Sequence, residues 1–269
     1  MTRTLGFFLL ASQLVLGVPL ADGRIAFAAD PRWVEAERVA PFIYRADFRL
    51  DERDSLLREL RQLQSDLAES LGLAASSESI ELYLFRDETS YRDYLEERFG
   101  DLPRRRALYI KTTSGPGMVY ASRGEQFAID LRHETTHALL HAELSEVPLW
   151  LDEGLAEYFE VPRGERIDGH QHLAEIQQRI RERGVPRLEV LEQLDDVAAL
   201  DRENYADAWA WVHFLQHGPA AATAEFTGYV REFNQPRPAT PLSARLRRAI
   251  PQLEVAFAAH FGRLATVRK

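Results

Sequence analysis

In the run Leu131-Arg132-His133-Glu134-Thr135-Thr136-His137-Ala138-Leu139-Leu140, two histidines stand four residues apart with a glutamate directly after the first. On a helix, residues four apart lie one above the other on a single face, so both imidazoles can reach one ion. Glu134 projects from the neighbouring position, where it can take a proton from water on that ion instead of binding the ion itself. The chain has no cysteine, which excludes thiolate zinc, iron–sulfur and thiol-nucleophile chemistry and leaves His, Asp and Glu as the only strong donors. A catalytic zinc takes three protein ligands and keeps a fourth position open, so a third donor must come from another segment.

The next segment, Val147 to Glu160, reads as a turn and a second helix bearing acids. Pro148 suits the helix entry, and Trp150, Leu151, Leu155, Tyr158 and Phe159 supply an apolar side. Glu153 and Glu157 fall four apart on a common face. A metzincin would instead carry a glycine and then a histidine three and six residues after the second motif histidine, and those places hold Leu140 and Glu143. HETTH, followed sixteen residues after its second histidine by the first glutamate of the EGLAEYFE run in WLDEGLAEYFE, resembles the gluzincin zinc metallopeptidases. The run most resembles the small bacterial peptidase MA-like domains, which pair H-E-x-x-H-A with P-x-W-L-x-E-G-L-A-E-Y. The strong match runs from Leu131 to Glu160, and a weaker match in element order extends from about Pro41 to Gly218. The resemblance implies a thermolysin-like catalytic core with one zinc ion held by His133, His137 and Glu153, and Glu134 as general base. It also implies that Glu157 orients a ligand histidine, at a place where the family commonly has aspartate, and that an edge strand binds the substrate backbone by strand addition.

The expected reaction is zinc-dependent hydrolysis of peptide bonds. Zinc lowers the pKa of water to about 7, and Glu134 relays the proton to the leaving amine. The tetrahedral oxyanion needs a donor from outside the two motif helices. Tyr205 is the candidate, at the start of a helix through Leu215 that resembles the segment following the zinc site in peptidase MA-like domains; His213 on that helix is the second choice. His141 has drifted a further turn along the motif helix and is not expected to ligate. His170, His172, His217 and His260 show no metal spacing and read as solvated or locally hydrogen bonded. Two other functions fit the same motifs: a zinc-binding interaction module without catalysis, which would not need Glu134, and a metal-dependent hydrolase of a non-peptide amide such as those of cell-wall material.

These residues need elements to position them. Runs rich in aromatic and β-branched residues at Phe42–Phe48, Ile80–Phe85, Ala107–Thr112 and Met118–Ser122 predict strands. Leucines at positions 56, 57, 60, 63, 67 and 71 predict one face of a helix over Asp51–Leu73. Asp87 or Thr89 is expected to cap a helix that Gly100 stops, and Ser114-Gly115-Pro116-Gly117 a hairpin over Ala107–Ser122 that offers the substrate edge. After Glu125 nearly everything reads as helix. The expected class is therefore α+β: a small, mostly antiparallel sheet with helices over residues 29–125, then a helical part over 126–269 that carries the zinc site and forms one catalytic unit with the first.

Residues 1–28 read as a secretory signal, with Arg3, an apolar run Leu5–Leu20 and a small-residue site at Ala26-Phe27-Ala28. The run is shorter than the roughly 20 apolar residues a membrane span needs, so cleavage near Ala28 and a periplasmic or secreted protein with no stable membrane span are expected. With 33 basic and 42 acidic residues the net charge is −9, which argues against nucleic acid as a partner and leaves a peptide or protein substrate.

Overall fold

The computed structural model describes residues 18–19, 25–26, 30–49, 53–100, 105–112, 115–144, 146–233, 235 and 240–265. Among these the fold is mixed α/β, with a five-stranded sheet and ten helices, and it divides into two compact units. One comprises residues 1–62 and 76–142, the other residues 63–75 and 143–269. The divide expected after residue 125 thus falls inside the first unit. The expected signal lies outside the described residues, except for the two-residue strands β1 (Val18–Pro19) and β2 (Ile25–Ala26), which pair antiparallel.

The first unit is built on β3 (Glu35–Val39), β4 (Phe42–Ala46), β5 (Ile80–Phe85), β6 (Ala107–Lys111) and β7 (Gly117–Ser122), in the order β3-β4-β5-β7-β6. The sheet is not mostly antiparallel: β3 with β4 and β6 with β7 pair antiparallel, whereas β4 with β5 and β5 with β7 pair parallel. The connections cause this. Helix α1 (Arg53–Leu71) is a crossover that returns the chain so that β5 runs in the same direction as β4, whereas after β5 the chain passes through α2 (Glu88–Phe99) and then runs back along β6, so that β7 again runs with β5. The leucine stripe of α1 is buried as expected at Leu57, Leu60, Leu63, Leu67 and Leu71.

Asp87 caps α2 by accepting from the Ser90 amide, and Gly100, in the left-handed region at φ 74°, ends it. Tyr91, Tyr94 and Leu95 of α2 bury against Tyr83, Phe85 and Tyr120 of the sheet, with the Tyr83 and Tyr120 rings stacked at 4.7 Å. Strand alternation divides β6 between two faces. Leu108 and Ile110 join this aromatic cluster, which leaves Tyr109 and Lys111 on the opposite face. The motif helix α3 (Phe127–Glu143) completes the unit.

The second unit is helical, with α4 (Leu149–Phe159), α5 (His172–Arg183), α6 (Leu188–Leu191), α7 (Arg202–His217), α8 (Ala220–Val230), α9 (Leu242–Ala249) and α10 (Leu253–Arg263). Helix α7 starts three residues before Tyr205, where a reciprocal Asp201–Asn204 capping box satisfies its first amides. It is the unit's central helix, burying Trp209, Phe214 and Leu215, and it lies against α4, α5 and α8. Gly154 is what lets α4 come so close. A Cβ at that position would lie 2.7 Å from the Ala208 carbonyl oxygen of α7, a backbone atom that cannot swing aside.

Replacing Gly154 by alanine, a better helix former, should therefore destabilise the protein, by about 1–3 kcal/mol as for overpacked cores. Denaturant unfolding measures this; an unchanged or higher midpoint would contradict the close approach.

Candidate metal centre

Helix α3 presents His133 and His137 as sequence spacing requires, with ring centroids 5.0 Å apart and planes at 75°. Leu131, Thr135, Ala138 and Leu139 are buried, and His137 is buried with them, while His133 and Glu134 are half-buried. Glu134 also acts at a distance on Tyr91 of α2. Burial, followed by the charge of Glu134, pushes that phenol up from its ordinary range, so it stays protonated at any physiological pH.

The helix is held along its length by the edge strand β6. Arg106, just before the strand, makes two 2.9 Å bonds to the Asp130 carboxylate in the first turn of α3. Lys111 at the other end donates to the His141 carbonyl at 2.6 Å, a cation on the last turn where the helix dipole favours one, and pairs with Glu78 at 3.1 Å. Five strand residues and eleven helix residues both rise about 16 Å, so these attachments are commensurate and strand and helix run side by side. Which groups of β6 face away from β7 follows from its register. Ser122 donates to the Arg106 carbonyl, and alternation from there turns the N–H and C=O groups of Ala107, Tyr109 and Lys111 away from β7.

In the second unit Glu153 is buried in the middle of α4, one turn before Glu157. Glu157 Oε2 lies 3.0 Å from His172 Nε2. His170 Nδ1 accepts from the His172 amide at 3.2 Å, so the proton of a neutral His170 sits on Nε2, which faces Glu160 at 3.5 Å and Glu157 at 3.9 Å. The His170 ring stacks on Trp209 at 4.7 Å. Two imidazoles thus border the Glu157 carboxylate. Neither was legible as its partner, because the sole signal is a His-x-His pair after a loop; His170 and His172 are buried and hydrogen bonded, not solvated. A groove of about 500 Å³ opens beside Glu157 and His172, walled by Gln171, Asp201, Arg202 and Tyr205. Tyr205 and Glu157, singled out separately in the sequence, therefore share one groove.

A family profile described as "Protein of unknown function (DUF1570)" matches residues 128–239, a segment holding both motifs and Tyr205. The chain is also similar to two solved structures. One is an M1 zinc metallopeptidase E323A mutant from Deinococcus radiodurans, at 16% identity and a TM-score of 0.40, covering 88% of this chain and 53% of that one. The other is a two-domain M1 zinc metallopeptidase E323A mutant bound to L-arginine, at 16% identity and a TM-score of 0.41, covering 88% and 52%. The chain spans about half the length of each. No curated protein matches it.

His213, the second choice as oxyanion donor, has neither nitrogen to spare. Its Nε2 lies 2.8 Å from the Ile167 carbonyl, which can only accept, so that nitrogen carries the proton; Nδ1 then accepts from His260 Nε2 at 2.9 Å. The ring is fully buried. Burial, before any other cause, pulls His213 down to about 3 and His260 to about 4. A base whose folded-state pKa is depressed binds protons more readily when unfolded. Its contribution is complete above the ordinary pKa near 6.5 and fades as pH falls from there toward 4 and 3. The melting temperature should accordingly drop between pH 6.5 and 4, with a shallower slope in His260→Gln; identical slopes would show that the pair is not the source.

Proposed function

We propose that the chain is a zinc-dependent peptidase that holds one zinc ion through His133, His137 and Glu153. The observation that supports it most is the pair of imidazoles on one face of α3, 5.0 Å apart, with Glu134 next to the first. The donor set fits the metal. Two imidazoles and a carboxylate are the ligands a hydrolytic zinc takes, and a buried carboxylate such as Glu153 suits a dication better than water.

Zinc bound there would polarise the scissile carbonyl and lower the pKa of water. Glu134 takes the proton from the attacking water and hands it to the leaving amine. Tyr205, at the groove, donates its hydroxyl to the oxyanion. Glu157 acts as an anchoring carboxylate, held by His172. The peptide backbone pairs by strand addition with the edge of β6 that faces away from β7. Residues 1–28 serve as an export signal, which places the activity in the periplasm or outside the cell.

The full chain assayed on a peptide library tests this. Glu134→Gln should lower turnover at least about a hundredfold while zinc content stays at one per chain. Equal turnover in that variant would sink the mechanism, and cleavage of cell-wall amides but no peptide would overturn the substrate class. Glu153→Ala should cut zinc occupancy sharply; full occupancy would mean that the third ligand is another residue. Tyr205→Phe should lower kcat by about 10²–10³ with little change in KM, and an unchanged kcat would remove Tyr205 from the reaction.

A further inference from the structure

The ring of Tyr109 lies nearly parallel to two imidazoles of α3. Its centroid is 6.3 Å from that of His137, with planes at 18°, and 5.8 Å from that of His141, with planes at 16°. Both separations fall within the range in which offset rings attract. The ring's place is itself fixed. Gly117 on β7 makes room for it, since a Cβ there would lie 3.2 Å from Tyr109 Cε2 and 3.6 Å from the Ala138 Cβ of α3. Arg106 and Lys111, on either side in sequence, tie the same strand to the same helix. The Tyr109 ring thus cannot slide along α3, nor can it move toward β7.

We propose that Tyr109 is a positioning residue for the metal site, its ring face setting the plane of the His137 imidazole so that the ligating nitrogen keeps its aim. The inference rests on the zinc reading above. An imidazole on a helix turns about its outer side-chain bond with little resistance, and a ligand that must be re-aimed at each binding event binds more weakly. A flat ring held nearly parallel beside it narrows that freedom. The same residue turns its backbone N–H and C=O away from β7, toward the edge where a peptide strand would add, so one residue bears on both the zinc ligand and the bound strand. What matters in this role is the ring face and not the hydroxyl.

The test is zinc affinity, by competition with a chromophoric chelator, together with the visible absorption of the cobalt(II)-substituted full chain. Tyr109→Phe should match the wild type in both. Tyr109→Leu, which keeps apolar bulk but has no flat face, should bind zinc about 10–100-fold more weakly, the usual cost of losing a group that orients a ligand, and should shift the cobalt bands. Gly117→Ala, which crowds the ring without removing it, should weaken zinc in the same direction but less, and it carries the test if the leucine variant does not fold. Wild-type affinity and spectrum in both Tyr109→Leu and Gly117→Ala, or a loss in Tyr109→Phe equal to that in Tyr109→Leu, would overturn the proposal. An unchanged affinity in His137→Ala would instead overturn the zinc reading beneath it.

Discussion

Two imidazoles share one ion only while the helix that carries them keeps its pitch and its facing, and in this chain that condition falls on α3. Most of what surrounds the helix in its unit serves it. Arg106 holds its first turn through Asp130, Lys111 its last turn through the His141 carbonyl, and Tyr109 lies along the imidazoles between them. These attachments come from β6, which is fastened to β7 on one side and to the aromatic cluster of Tyr83, Tyr94 and Tyr120 through Leu108 and Ile110. The cost of misplacing the site is therefore spread over a packed sheet and not left to α3 alone. A strand at the edge of a sheet would ordinarily be its most mobile member. Here the edge is braced by the helix it helps to align.

The second unit solves a related problem by different means. Helix α4 carries Glu153 and Glu157, and it gains its rigidity from close approach to α7, which only a glycine at position 154 allows. Helix α7 in turn starts at a capping box and is sealed by buried aromatic rings and by the His213–His260 pair, whose protons are assigned by the single carbonyl of Ile167. Those histidines are structural, and their neutrality is a condition of the packing. Burial that excludes protons from His213 also keeps it from any substrate, whereas Tyr205 lines the groove.

Much of this was legible in the sequence, for physical reasons. The leucine stripe of α1, the Asp87 cap and Gly100 stop of α2, and four of the strands are local patterns, set by residues within a few positions of one another. Strand direction is not local, and the mixed sheet follows from the α1 crossover between β4 and β5 and from the return of the chain along β6 before β7. Strand β3 escaped notice because Glu35-Ala36-Glu37-Arg38-Val39 is a polar edge strand whose side chains alternate between half-buried and exposed, with no apolar run to mark it. The four-residue histidine spacing is a helical fact that any folded context preserves, so the shared face of His133 and His137 was readable. The company of Glu157 was not, since His170 and His172 reach it from a loop. Tyr109 looked like one more aromatic residue in a strand, and only the parallel rings mark it as something else.

The central claim is that two histidines of α3 and one carboxylate hold a single catalytic zinc. X-ray absorption at the zinc edge of the purified full chain tests it most directly. The account predicts one zinc per chain with four nitrogen or oxygen neighbours at about 2.0–2.1 Å and the multiple-scattering signature of two imidazoles. No zinc, or a shell containing one imidazole or three, would contradict it.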